Sequence, residues 1–181
     1  MTVNTEAAAL QTLLDREAIK ECIFSYCRGI DRVDEAALRS AYWPDATDRH
    51  GPYQGSATGF IEWALAKLRE GGRMVHFVGN MSIQLNGDVA GAETYFQAFQ
   101  QGRDSAGENT ELFLIGRYAD RFEKRDGEWR IAERVVIYDW IREERKPRQS
   151  DDEWFGDFRQ PRGGRKPDDP VYDLLARVAA A

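Results

Sequence analysis

The order of hydrophobic periods constrains this chain most: helical spacing comes first, and from residue 74 onward the pattern is that of strands. Ile19, Cys22, Ile23, Tyr26, Cys27 and Ile30 recur at i, i+3, i+4 and i+7, which marks one buried helical stripe. Glu6–Leu14, rich in alanine and leucine, predicts a helix before it, and Asp15 reads as the N-cap between the two. A short helix follows with Leu38, Ala41 and Tyr42 on one side, ended by Pro44, then a short strand over Ala46–Gly51. Thr58–Glu70 predicts an amphipathic helix that turns Phe60, Ile61, Ala64, Leu65 and Leu68 inward before Gly71-Gly72 stops it. Strand regions then run over Met74–Leu85, bent at Gly79, Val89–Gln101, Thr110–Lys124 and Glu128–Arg142. Asn86-Gly87 and Asp126-Gly127 are two-residue hairpin turns, and Gly102–Gly107 is a longer loop. The result is an antiparallel meander with a face that needs cover, which the helices can supply: an α+β domain closing over an apolar pocket.

Size and charge narrow the function. With 181 residues, 42% of them hydrophobic, one domain can build its own core. A net charge of -6 argues against nucleic acid and anionic membrane as partners. No apolar run approaches a membrane span, and residues 1–15 lack a signal-peptide pattern, so the expected location is the cytoplasm. The only cysteines, Cys22 and Cys27, are poorly spaced for a disulfide and read as small buried residues. No metal-ligand spacing or phosphate-binding glycine loop occurs, so neither metal nor cofactor is expected. Residues 1–145 read as the domain. Residues 146–181 read as a tail packing on it, on the pocket mouth or on a neighbouring subunit, because Trp154, Phe155 and Phe158 are costly to expose. Val171–Val178 reads as a terminal helix, and the acidic clusters 151–153 and 168–169 as solvated charge.

Of two histidines, His76 lies in an otherwise apolar strand, where a polar ring needs a partner. Asp31, at the inner end of the helical stripe, is the best candidate. An Asp–His pair in an apolar pocket is a general base. Spacing alone leaves a second reading open: Asp31 as a helix-end residue and His76 as a satisfied core histidine. His50, on the short strand, is either a second acid–base group or an edge histidine. Tyr26, Tyr42 and Tyr138 offer hydroxyls to a substrate or simply fill the core. On the strand Val89–Gln101, Glu93, Tyr95, Gln97 and Phe99 share one face, whose aromatic and polar mix suits a ligand pocket. With Trp140, these side chains point to a flat aromatic substrate.

Several strings, in order, carry a resemblance: Tyr26-Cys-Arg-Gly-Ile-Asp31-Arg-Val-Asp34, Tyr42-Trp-Pro-Asp-Ala46, Val75-His-Phe-Val-Gly-Asn80, Arg125-Asp-Gly-Glu-Trp129 and Tyr138-Asp-Trp140. Over about Leu14–Trp140 the chain resembles the SnoaL-like group of the nuclear transport factor 2-like superfamily. The resemblance implies a cone-shaped α+β barrel, with N-terminal helices packed in a curved mixed or antiparallel sheet around a deep pocket. It implies a cofactor-independent lyase, with His76 as base, Asp31 as the carboxylate that orients it, and Arg134 stabilising a leaving group or developing anion. An exposed strand position is the other reading of Arg134. The group's dehydratases carry a tyrosine where this chain has Ile30, and a second pocket histidine near Phe99. Its dehydrochlorinases carry a lysine where this chain has Tyr26. Dehydration, dehydrohalogenation and loss of formaldehyde from an aryl propanediol all fit. A ketosteroid-isomerase-like isomerase and a non-catalytic module or dioxygenase small subunit are the alternatives. A homo-oligomer is expected, a trimer before a dimer.

Overall fold

The computed structural model describes residues 2–145 and 161–180. The aromatic residues Trp154, Phe155 and Phe158, and with them most of the expected tail, lie outside the described residues. Four helices and six strands are present among those described: α1 (Thr2–Arg32), α2 (Glu35–Ser40), β1 (Tyr42–His50), β2 (Tyr53–Ser56), α3 (Ala57–Glu70), β3 (Met74–Asn86), β4 (Val89–Arg103), β5 (Asn109–Arg125), β6 (Glu128–Arg145) and α4 (Pro170–Ala179). No described helix is long and apolar enough to cross a membrane.

The strands form one curved, unclosed sheet in the order β2-β1-β6-β5-β4-β3. β3 to β6 are the expected meander, each pair antiparallel. β1 pairs parallel with β6, which makes the sheet mixed. At the β5–β6 turn Asp126 and Gly127 both have positive φ, 51° and 84°, the geometry that lets a two-residue turn follow the strand twist. The pairing of β3 with β4 shifts between Val78 and Met81, so the bend falls at the expected glycine. The helices cover the inner face. Ile19, Ile23 and Tyr26 of α1 and Phe60, Ile61 and Leu65 of α3 are buried in one core with Phe96, Tyr118, Phe122 and Ile131 of the sheet.

Two local expectations are corrected. α1 is one unbroken helix, and Asp15 caps nothing. Its carboxylate accepts from Lys124 Nζ at 2.7 Å and Trp129 Nε1 at 2.9 Å, anchoring the helix to the sheet. Pro44 lies within β1 rather than ending a helix. In contrast, α3 begins on Ser56, whose hydroxyl accepts from Gly59 N, and all five residues expected inward are buried. Both cysteines are buried and free, and burial pushes each thiol up to about 12.

Candidate active site

The end of α1 is shaped by a close approach. A Cβ on Gly29 would fall 2.6 Å from the Leu38 backbone nitrogen, so only glycine lets α2 fold back here. Asp34 N then bonds to Gly29 O at 2.9 Å, closing the helix end. Asp31, just before this closure, points inward to β3. Its Oδ1 lies 2.6 Å from His76 Nδ1, and its Oδ2 accepts from the His76 backbone N–H at 2.9 Å. The carboxylate therefore grips both ring and backbone of one residue. With Nδ1–H given to Asp31, the neutral ring keeps its lone pair on Nε2, as a proton acceptor requires.

An aromatic arc runs from this pair across the interior. His76 lies 6.1 Å from Phe96, Phe96 stacks on Tyr118 at 4.4 Å, and Tyr118 meets Tyr26 edge-on at 5.5 Å. Tyr26 meets Tyr42 at 6.0 Å, Tyr42 meets Phe60 at 6.4 Å, and Phe60 stacks on His50 at 4.7 Å. Phe96 lies flat because Gly116 beneath it has no side chain; a Cβ there would come within 2.9 Å of the ring. Tyr138 closes the arc beyond His50, at 6.4 Å.

Arg134 sits inside this arc. It is 1% exposed, so the reading as a surface charge is set aside. Its guanidinium lies between Tyr26 and Tyr118, 4.0 and 4.1 Å from their ring centroids, and makes two 2.7 Å hydrogen bonds to Asp120. Asp48, Arg134 and Asp120 are register partners on β1, β6 and β5 and form a charged row through the core. Arg134 Nη1 is buried without a hydrogen-bond partner among the described residues. Asp48 accepts from Tyr42 OH at 2.6 Å. Burial outweighs the pull of Arg134 and pushes the Asp48 carboxyl up to about 6. His50 is driven the other way, down to about 3, by burial and then by the positive fields of Arg134 and His76.

The structure thus brings together Asp31 and His76, sets Tyr26, Tyr42 and Arg134 in the core around them, and puts His50 and Tyr138 at the far end of the arc. Tyr95 and Phe99 are corrected: they are 42% and 54% exposed, on the opposite face of β4. The face turned inward carries Ala90, Ala92, Thr94, Phe96 and Ala98. Trp140 is exposed too. Sequence reasoning missed Asp48, Phe96, Tyr118 and Asp120. A signal existed for Asp120, which stands at alternate spacing between Tyr118 and Phe122 in a strand face otherwise apolar.

A cleft of about 440 Å³ opens beside Asp31, bounded by Val33, Met74, Val75, Gly163 and Arg165 among others. The chain after residue 160 forms part of its wall. Arg165 donates to Leu68 O at 2.7 Å, and Lys166 N donates to Arg32 O at 2.9 Å. Asp34 accepts from Lys166 Nζ at 3.0 Å and Tyr172 OH at 3.1 Å, so Arg32 and Asp34, just after Asp31, are tied to the C-terminal segment.

This cone of a curved mixed sheet wrapped around helices defines a fold class, and comparison with known proteins agrees. Residues 11–135 match the SnoaL-like domain model, and the chain belongs to that family. A relative, the beta 2 subunit of the terminal oxygenase component of terephthalate 1,2-dioxygenase from a Comamonas species, is 30% identical over 128 residues, 66% of this chain and 72% of that one. A solved type 2 hexachlorocyclohexane dehydrochlorinase superposes with a TM-score of 0.68 at 20% identity, over 75% of this chain and 93% of that one. A scytalone dehydratase-type protein from Novosphingobium aromaticivorans does so with a TM-score of 0.64 at 18% identity, over 72% and 88%. At those identities the two structures establish the shared fold.

Proposed function

We propose that this protein is a cofactor-independent lyase acting on a small aromatic or polycyclic molecule by acid–base elimination. The observation that carries the reading is the double grip of Asp31 on His76. A carboxylate that fixes both ring and backbone of a histidine sets its tautomer and aims Nε2, and packing alone does not need that. His76 takes a proton from substrate carbon or hydroxyl, Asp31 holds the imidazolium that forms, and the leaving group departs on the far side of the arc. Arg134, which stays charged when buried, offers Nη1–H to the charge that develops there. The segment 161–180 belongs to the mouth of the site, since it ties down Arg32 and Asp34, just after Asp31. Fold neighbours named for a dehydrochlorination and a dehydration support the reaction class. A screen of lignin-derived and polycyclic aromatics by thermal shift, followed by product mass, tests it. Turnover that survives His76→Ala would sink the mechanism.

A second reading is favoured by the 30% identical relative, a dioxygenase beta subunit. There the chain is a partner of a large iron-containing subunit, and its exposed sheet face is an interface. Val75, Phe77, Tyr95, Phe99 and Trp140 are exposed apolar residues on the long strands, and they fit subunit contact of either kind, a homo-oligomer included. Purification from the native host decides: a stoichiometric iron-containing partner supports the second reading, a homotrimer or homodimer the first.

A further inference from the structure

We propose that Asp48 and His50 form a second Asp–His pair, at the other end of the aromatic arc from the first, in which Asp48, anchored by Tyr42, passes a proton through His50 to an oxygen leaving group. This rests on the lyase reading and deepens it. Asp48 Oδ1 and His50 Nδ1 are 3.7 Å apart, and each is buried without a hydrogen-bond partner among the described residues. Two buried groups of complementary chemistry left unpaired at that distance are a latent hydrogen bond; a ring movement of about 1 Å closes it. The other Asp48 oxygen is held by Tyr42 OH, so the carboxyl cannot turn away. Nδ1 is inside, while 23% of the His50 side chain is exposed, so the opening lies on the remainder of the ring. The two rings bound one aromatic arc: His50 stacks on Phe60 at 4.7 Å at one end, and His76 lies 6.1 Å from Phe96 at the other.

Chemistry says what such a pair is for. Chloride leaves as a stable anion, whereas hydroxide leaves poorly unless it receives a proton. Below about pH 6 the proton sits on Asp48 Oδ1, and His50 is neutral with its hydrogen on Nε2. His76 Nε2 takes the substrate's C–H proton, the C–H electron pair becomes the new C=C bond, and the C–O bond breaks. The departing oxygen takes the Nε2 hydrogen of His50, and Nδ1 takes the proton of Asp48. The products are an alkene and water, with Asp48 as carboxylate and His76 as imidazolium. His76 returns its proton to solvent and Asp48 regains one. Asp48 is thus a positioning and relay residue acting through His50. The groups that face it are Tyr42 and His50 on β1, Arg134 and Tyr138 on β6, Asp120 on β5 and Tyr26 on α1. The proton rests on the carboxyl rather than the ring because burial beside Arg134 penalises the imidazolium more.

The chain has two histidines, so ¹⁵N NMR of labelled wild-type protein can follow each ring separately. The expected result is a His50 ring neutral from pH 5 to 8 that exchanges Nε2–H for Nδ1–H as Asp48 titrates, with a midpoint near 6. In Asp48→Asn the exchange disappears. A His50 that becomes imidazolium above pH 5, or keeps one tautomer with no inflection, overturns the proposal whatever the enzyme turns over. Kinetics with a β-hydroxy and a β-chloro aryl ketone, alike except for the leaving group, supply the second arm. Asp48→Asn and His50→Gln slow hydroxide elimination about 10²-fold and chloride elimination at least tenfold less. Equal loss on both probes overturns the relay. Retention of both reactions in His76→Ala overturns the base reading instead, so the two failures are distinguishable.

Discussion

The two Asp–His pairs differ in how their members are held. Asp31 and His76 come from separate elements, 45 residues apart, and meet in two hydrogen bonds, one of them to backbone. Asp48 and His50 share one strand, two residues apart, and meet at 3.7 Å with no backbone contact between them. Side chains at i and i+2 point to the same face but stand a full pleat apart, so they touch only by leaning. A helix end aimed at a strand has no such limit. The first geometry gives one fixed tautomer, as a base requires. The second leaves the latitude that a proton relay uses. Their electrostatics differ as well, since Arg134 acts on both members of the second pair.

The largest expected effect breaks the first pair. His76→Ala should lower kcat/KM by about 10²- to 10⁴-fold, and Asp31→Asn should lower kcat through the wrong tautomer while KM moves little; steady-state kinetics on any substrate found by the screen measure both. The next removes the charge that governs the second pair. Arg134→Met leaves Asp120 buried and unpaired and should cost about 3–5 kcal/mol in urea unfolding, with Arg134→Met/Asp120→Leu regaining part of it.

Asp48→Asn should do the reverse. The folded carboxyl is raised to about 6 from 3.8, so folding suffers no penalty below 3.8, where the group is neutral in both states. The penalty grows as pH rises and is complete above 6, at about 3 kcal/mol. The Asn variant should therefore be more stable than wild type by up to that amount at neutral pH and equal to it near pH 4. His50 moves oppositely: its lowered value means that wild type loses stability as pH falls from 6.5 towards 3. Thermal melts across that range separate the two. Smallest of all is a change on the outer face. Phe99→Ser should leave both pairs and monomer stability within about 0.5 kcal/mol of wild type, and sedimentation of the two proteins tests whether this face is a subunit contact, as proposed, by a shift towards monomer in the variant.

Much of this was legible before any coordinates. Helical stripes, Asn-Gly and Asp-Gly turns and a lone histidine in an apolar strand are local signals, and the stripe that ends at Asp31 made it the best candidate partner for His76, with the family resemblance favouring the pair over two separate core residues. Tyr95 and Phe99 show where local signals stop. Alternation along β4 defines two faces but not which one turns inward, and a slip of one residue exchanges them. The larger, richer face looked like a pocket. The structure turns in the face with Ala90, Ala92 and Ala98, because the concave side of a curved sheet has less room per residue.

By itself, the sequence determined the helices-then-meander order and the tight turns, since each depends on residues close in the chain, and it offered Asp31–His76 beside a core reading that only the tertiary contact decided between. Only the tertiary structure decided the facing of β4, the single unbroken α1 and the buried row of Asp48, Arg134 and Asp120. Those depend on which strands become neighbours, and a charge in a strand is read as exposed until the opposite charge on the next strand is known to lie beside it.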